Sequence, residues 1–248
     1  MSDFTPDRVI AIAVTFALAG LVKGITGMGL PTVAMGVLGA LISPVAAAGM
    51  LLLPSFVTNV VQMRGAEGLR ALLRRLWPMM AMIIAGTLFG SVWLAQGSDS
   101  RTTLVLGAAL IVYAVWTLLA RPFSVSPRKE PWLSPLVGLA TGLLTGASGV
   151  FVIPAVPWLQ SLGLQKDELV QALGLSFTFS TCALALGLWW HDALPTTAFG
   201  ASALAIIPSL LGMFAGQRLR RRISPPAFKR AFLLCLMLLG IEMALRSL

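Results

Sequence analysis

Two glycine-rich stretches hold the residues best suited to chemistry, Lys23-Gly-Ile-Thr-Gly-Met-Gly-Leu-Pro31 and Thr145-Gly-Ala-Ser-Gly149. Each interrupts apolar sequence that would otherwise continue as a helix. Glycine lets backbone leave helical geometry, and proline removes an amide donor. Inside a bilayer such a break persists only where protein or a polar cavity satisfies the freed N–H and C=O groups. A helix restarting beyond a break presents unbonded amides and a partial positive charge, which suits an anion. Gly27, Gly29, Gly146 and Gly149 are therefore expected to free two such helix starts, with Thr26, Thr145 and Ser148 adding hydroxyl donors. Lys23 is the one basic residue close to the first break, and its ammonium is a candidate for attracting or neutralising the anion. Two plainer readings compete. Small residues also permit tight helix packing, and Lys23 would suit a basic cytoplasmic turn.

Asn59 places an amide in apolar sequence, with Ser55 and Thr58 just upstream, while the second half holds Ser176, Thr178, Ser180 and Thr181 in the corresponding region. Such groups can line a translocation path, although more often they bond their own helix or a neighbour, at about 0.6 kcal/mol on average. Glu242 is expected at an interface, with a proton-coupling role as the alternative. His191 beside Asp192 makes a poor metal site alone. Cys182 and Cys235 each sit singly in apolar runs and read as packing residues. No serine–histidine pair, zinc-ligand cluster or phosphate loop is present, so neither an enzyme nor a cofactor is expected. A membrane enzyme for lipid-linked substrates would need convergent acid, base or metal-ligand groups; a non-transporting assembly or sensor subunit would use its glycines only for helix contacts.

The elements that must position these residues are hydrophobic. The chain has 248 residues, 57% hydrophobic and 11% charged, against about 25% charged in soluble domains. An all-α integral membrane protein follows. Apolar runs of about 17–25 residues span a bilayer as helices, and roughly ten segments can be traced. They fall into a first membrane repeat over 1–120, a cytoplasmic linker at 121–131 and a second, inverted repeat over 132–248. Segments flanking the breaks are short and fit either full spans or re-entrant half-helices. The acidic start of the chain lacks a signal-peptide n-region, so the first run should remain in the protein.

The halves match in motif order: Gly20 with Gly138, Gly24 with Gly142, Gly27 with Gly146, Gly29 with Gly149, and Gly86-x-x-x-Gly90 with Gly212-x-x-x-Gly216. An odd number of segments per half, about five, inverts the second relative to the first. Loops 64–75, 121–130 and 218–230 hold 13 of the 18 Lys and Arg residues. The positive-inside rule puts these loops in the cytoplasm and both termini outside. The net charge of +9 then reflects topology, not a nucleic-acid partner. Trp77, Trp93, Trp132, Trp189 and Trp190 lie near segment ends, where aromatic rings anchor in the interface.

The chain resembles the TauE/SafE sulfite-exporter family (TSUP). The likeness lies in Gly20-Leu-Val-Lys-Gly-Ile-Thr-Gly-Met-Gly-Leu-Pro31 and Gly138-Leu-Ala-Thr-Gly-Leu-Leu-Thr-Gly-Ala-Ser-Gly-Val-Phe-Val-Ile-Pro154, and in overall length and linker position. Where the family often has a run of glycines, this chain has Met28-Gly29-Leu30 and Ala147-Ser148-Gly149. The resemblance implies export of small sulfur-containing or carboxylate anions, such as sulfite or sulfoacetate, across a bacterial inner membrane. A proton or the membrane potential would drive it, and assembly into a homo-oligomer is left open. The residues expected to face the anion are Lys23, Thr26, Gly27, Gly29, Asn59, Thr145, Gly146, Ser148, Gly149 and Ser176.

Overall fold

Nearly every apolar run bounded by glycine, proline or charge becomes a helix. The computed structural model describes residues 6–64, 68–119, 123–194, 196–220 and 222–247. Residues 1–5 of the N-terminus, 65–67 of the first basic loop, Arg121 and Pro122 of the linker, Pro195 and Arg221 lie outside the described residues. Among the described residues the chain forms ten helices: α1 (Pro6–Thr26), α2 (Leu30–Leu41), α3 (Pro44–Gln62), α4 (Leu69–Gln96), α5 (Asp99–Leu119), α6 (Glu130–Ser148), α7 (Ala155–Ser161), α8 (Lys166–Trp190), α9 (Thr196–Leu219) and α10 (Pro225–Arg246). The sequence marks several starts. Ser43 accepts a hydrogen bond from the Ala46 amide ahead of α3, with Pro44 at its first position. A reciprocal capping box of Gln165 and Glu168 opens α8.

Helix length sorts the segments. Six helices are long and apolar enough to cross a membrane: α1, α3, α4, α5, α8 and α9. Two more have the length but not the apolarity. The 19 residues of α6 are rich in glycine, serine, threonine and proline, and α10 carries Lys229, Arg230, Glu242 and Arg246 near its ends. With 12 and seven residues, α2 and α7 extend only about 18 and 10 Å at the helical rise. Neither reaches across a hydrocarbon core of about 30 Å. The described residues thus form an all-helical, multi-pass membrane protein in which α2 and α7 are too short to span.

Glycine contacts set the packing. Helix α1 lies against α9, where Gly20 and Gly24 meet the backbone of Ser209, Met213 and Gly216, and Gly212 meets Ala17 and Leu21. Helix α4 lies against α6 in the same manner, Gly86 and Gly90 meeting Leu139, Gly142 and Leu143. A Cβ at any of these glycines would collide with backbone of the facing helix, so both glycine spacings serve the close approach expected of them. Helices α3 and α8 contact each other and join these seams, while α5 pairs with α10.

The two ends of the bundle differ. At one end Arg75 and Glu130 form a two-pronged ion pair with both N–O distances at 2.7 Å. The Val125 amide there donates to Ser161, drawing the linker onto α7. About 31 Å along α4 by helical rise, a small cavity of about 140 Å³ gathers Ser43, Asp99, Glu242 and Arg246. All five tryptophans expected at segment ends are exposed. Cys182 and Cys235 depart from expectation: both are exposed on outward faces, so neither fills interior space.

Candidate functional site

Both breaks are built by the same device. Helix α1 ends where the Thr26 hydroxyl lies 2.9 Å from the Val22 carbonyl and 2.7 Å from the Met28 carbonyl and accepts the Met28 amide at 3.2 Å. Helix α6 ends where the Ser148 hydroxyl donates to the Leu144 carbonyl at 2.6 Å and accepts the Val150 amide at 3.3 Å. The next residue is a left-handed glycine in each case, Gly27 at φ 81° and Gly149 at φ 69°. Each donates its amide four residues back, to Lys23 and Thr145, at 2.7 Å. Only glycine enters this region without steric penalty. The geometry thus equates Gly27 with Gly149 and Gly24 with Gly146, one helical turn away from the correspondence that motif order suggests.

Beyond the breaks the halves diverge. Gly29, at φ 102°, caps the start of α2 directly. In the second half the chain stays non-helical through Val150, Phe151 and Val152, all buried, and restarts as α7 only at Ala155. The expected helix start immediately after Gly149 is thus displaced and short. Helix α2 connects the two breaks: Gly29 begins it, and Met35, about 9 Å further along by helical rise, fills the space a Cβ on Gly149 would need.

Lys23 lies in the last turn of α1, only 2% exposed. It is not in a solvated turn. Its side-chain nitrogen donates to the Thr58 hydroxyl at 3.0 Å and to the side-chain amide oxygen of Asn59. Thr58 can accept because its own proton goes to the Pro54 carbonyl at 2.7 Å. From Asn59 a directed chain continues: its amide nitrogen donates to Ser55 at 3.5 Å, and Ser55 lies 3.2 Å from Thr181 of α8. Thr181 gives its proton to the Phe177 carbonyl at 2.6 Å, so Ser55 must be the donor between the two hydroxyls. Every donor in the chain points away from Lys23, an arrangement that disperses positive charge toward α8.

The charge on Lys23 has no carboxylate partner among the described residues. The ion pairs there are Arg75–Glu130 and Glu242–Arg246, at opposite ends of the bundle. A buried ammonium held only by neutral acceptors is costly. It also has three N–H donors and two acceptors, leaving one donor for a ligand.

The other expected residues separate into groups. Asn59 joins Lys23 directly. Thr26 and Ser148 spend their hydroxyls on their own backbone, and Thr145 bonds the Val150 carbonyl at 3.4 Å. Gly146 faces Thr87, Gly90 and Ser91 of α4 in a helix seam. Ser176 is buried with its hydroxyl unpaired, as is that of Ser180 one turn on. Glu242 is exposed and paired with Arg246. Sequence reasoning missed Gln62, whose amide bridges the Gly27 carbonyl at 3.0 Å and the Val170 carbonyl of α8 at 3.1 Å. Its spacing from Ser55, Thr58 and Asn59 was the available signal, since residues three and four apart share a helix face. A cleft of about 420 Å³ between the ends of α4, α5 and α6 is lined by Trp93, Gln96, Arg101, Thr102 and Ala147, the last adjoining the second break.

Comparison with known proteins agrees with the helical, membrane-spanning architecture. The family described as sulfite exporter TauE/SafE matches residues 12–243, nearly the whole chain. No curated protein and no solved structure matches it. That family is one of transporters, not enzymes, and its description fits a multi-pass membrane protein that moves sulfite or a related anion. The chain belongs to the TauE/SafE sulfite exporter family.

Proposed function

We propose that this protein exports a small organic or sulfur-containing oxyanion, such as sulfite or sulfoacetate, across the bacterial inner membrane by alternating access. The observation that carries this reading is Lys23: a buried lysine nitrogen beside a helix break, held by two neutral acceptors, which when protonated has one donor left for a ligand. An anion docking there supplies the missing counter-charge. Asn59, Ser55 and Thr181 orient the ammonium, and Gln62 holds the break open at Gly27. The buried, unpaired hydroxyls of Ser176 and Ser180 offer further donors along α8.

Two inverted repeats of five segments are part of the proposal. The matched ends of α1 and α6 support it, as does the exchange of partners between α1 on α9 and α6 on α4. An internal two-fold relation requires such an exchange. Charge supports basic loops in the cytoplasm and both termini outside. The cleft beside Ala147 then lies on the outer side, with Arg101 in its lining.

Purified protein in liposomes, supplied with sulfite and sulfoacetate, tests the function. Saturable flux by the wild type is expected, with loss of about tenfold or more in a folded Lys23→Gln variant. Wild-type flux from both anions at the level of empty liposomes would remove the transport reading. Flux unaffected by Lys23→Gln would move the site elsewhere.

A further inference from the structure

Lys23 meets two acceptors, the Thr58 hydroxyl and the Asn59 carbonyl oxygen. A neutral amine has two N–H donors and an ammonium three. Two acceptors therefore satisfy both N–H groups of the amine, whereas the ammonium needs a third partner as well as a counter-charge. Nothing nearby supplies one among the described residues. Helices α2 and α3 carry no titratable side chain. At the same end of the bundle α9 ends in Arg218, followed by Arg220, and α10 begins with Lys229 and Arg230, all of Lys23's own sign. The acids Asp167 and Glu168 are exposed at the start of α8, Glu168 bonded to the Gln165 amide. Glu242 lies at the far end of α10, paired with Arg246.

We infer that Lys23 couples transport to protons: it is ammonium when the anion is bound and neutral amine when the site is empty, so one proton travels with each anion. This inference rests on the binding of the anion at Lys23 proposed above. As the anion enters, the amine takes a proton from water on the side to which the site is open. The loaded site, near-neutral for a monoanion, then reorients. On the other side the anion leaves and the ammonium returns its proton to water there, so the empty carrier resets without a stranded buried charge. Transport of a monoanion is electroneutral, and its direction is set by the anion and pH gradients together. A dianion moves one net negative charge.

The test uses full-length protein in liposomes carrying a trapped pH dye, with isethionate, sulfoacetate and sulfite each supplied in alkaline buffer that keeps it ionised. For whichever anions the wild type moves, about one proton is expected per anion. Isethionate flux should be unchanged when a potassium–valinomycin potential is imposed. Lys23→Arg, which stays charged, should retain exchange of labelled for unlabelled anion while net flux falls about tenfold or more. Lys23→Gln should lose both. Anion flux without proton movement, or net flux in Lys23→Arg equal to wild type, overturns the coupling and leaves the transport function standing. Failure of the wild type to move any of the three anions overturns both.

Discussion

Thr26 and Ser148 occupy equivalent positions at the ends of α1 and α6. Each hydroxyl lies against the carbonyl four residues back and accepts the amide two residues ahead, that of Thr26 also reaching the Met28 carbonyl at 2.7 Å. The hydroxyl closes the helix and tethers the first residue that leaves it. Such bonds are shared between two backbone groups and cannot be remade by water inside the protein.

Removing either hydroxyl should therefore destabilise. Thr26→Val and Ser148→Ala each leave a buried amide unpaired, at a cost of about 1–2 kcal/mol. A lowered unfolding midpoint in detergent is the expected readout, with Ser148→Thr close to wild type.

The seams make a sharper prediction. Gly142→Val and Gly216→Val force a side chain into facing backbone and should abolish recovery of monodisperse protein in size-exclusion chromatography. Gly200, in α9 with open space where a Cβ would lie, provides the control. Gly200→Ala should fold normally and gain about 0.5–1 kcal/mol from helix propensity.

Lys23 and Asn59 should couple in stability. Asn59→Leu deprives a buried N–H of Lys23 of its acceptor and should cost about 1–3 kcal/mol. In a Lys23→Met background the same change should cost much less, because no buried N–H remains in need of that acceptor. Lys23→Met alone should be as stable as wild type or more so, although it is expected to abolish transport. Unfolding midpoints of the four proteins give the coupling energy; additive effects would show that the two side chains act independently.

Arg75, half-exposed, and Glu130, buried, join the starts of α4 and α6 as an ion pair. Arg75→Gln and Glu130→Gln should each lower stability by about 0.5–1.5 kcal/mol, less at high salt. The double variant should lose little beyond either single one.

Much of the fold could be read from glycine, proline and charge. Ser43-Pro44 marked the start of α3, and Asp167-Glu168 the start of α8. Gly86, Gly90, Gly212 and Gly216 marked the helix seams. At the site the reading was less complete. Lys23 and Asn59 stood out because a charge and an amide are rare in such sequence, yet their direct bond is a contact between separate helices with no local signature. Thr26, Thr145 and Ser148 looked like ligand donors. They are spent on backbone, since a short hydroxyl bonds its own turn more readily than a distant guest. The length of α7 was hidden too. Val150, Phe151 and Val152 read as a continuing apolar run, and periodicity cannot distinguish a buried extended stretch from a buried helix. The cysteines misled for a related reason: apolar surroundings in sequence do not tell an interior neighbour from lipid.

The crossed seams constrain the machinery in one further respect. With α1 zipped to α9 and α6 to α4, each half of the sequence has lent a helix to the other's bundle. Prising the first 120 residues away from the last 120 would tear both zippers at their tightest points. A less costly parting line runs between one block of α1, α3 and α9 and another of α4, α6 and α8, where α3 touches α8 through Ser55 and Thr181. Under the proposed alternating access the moving parts would be mosaics of both halves, and the polar thread leading from Lys23 crosses the boundary between them.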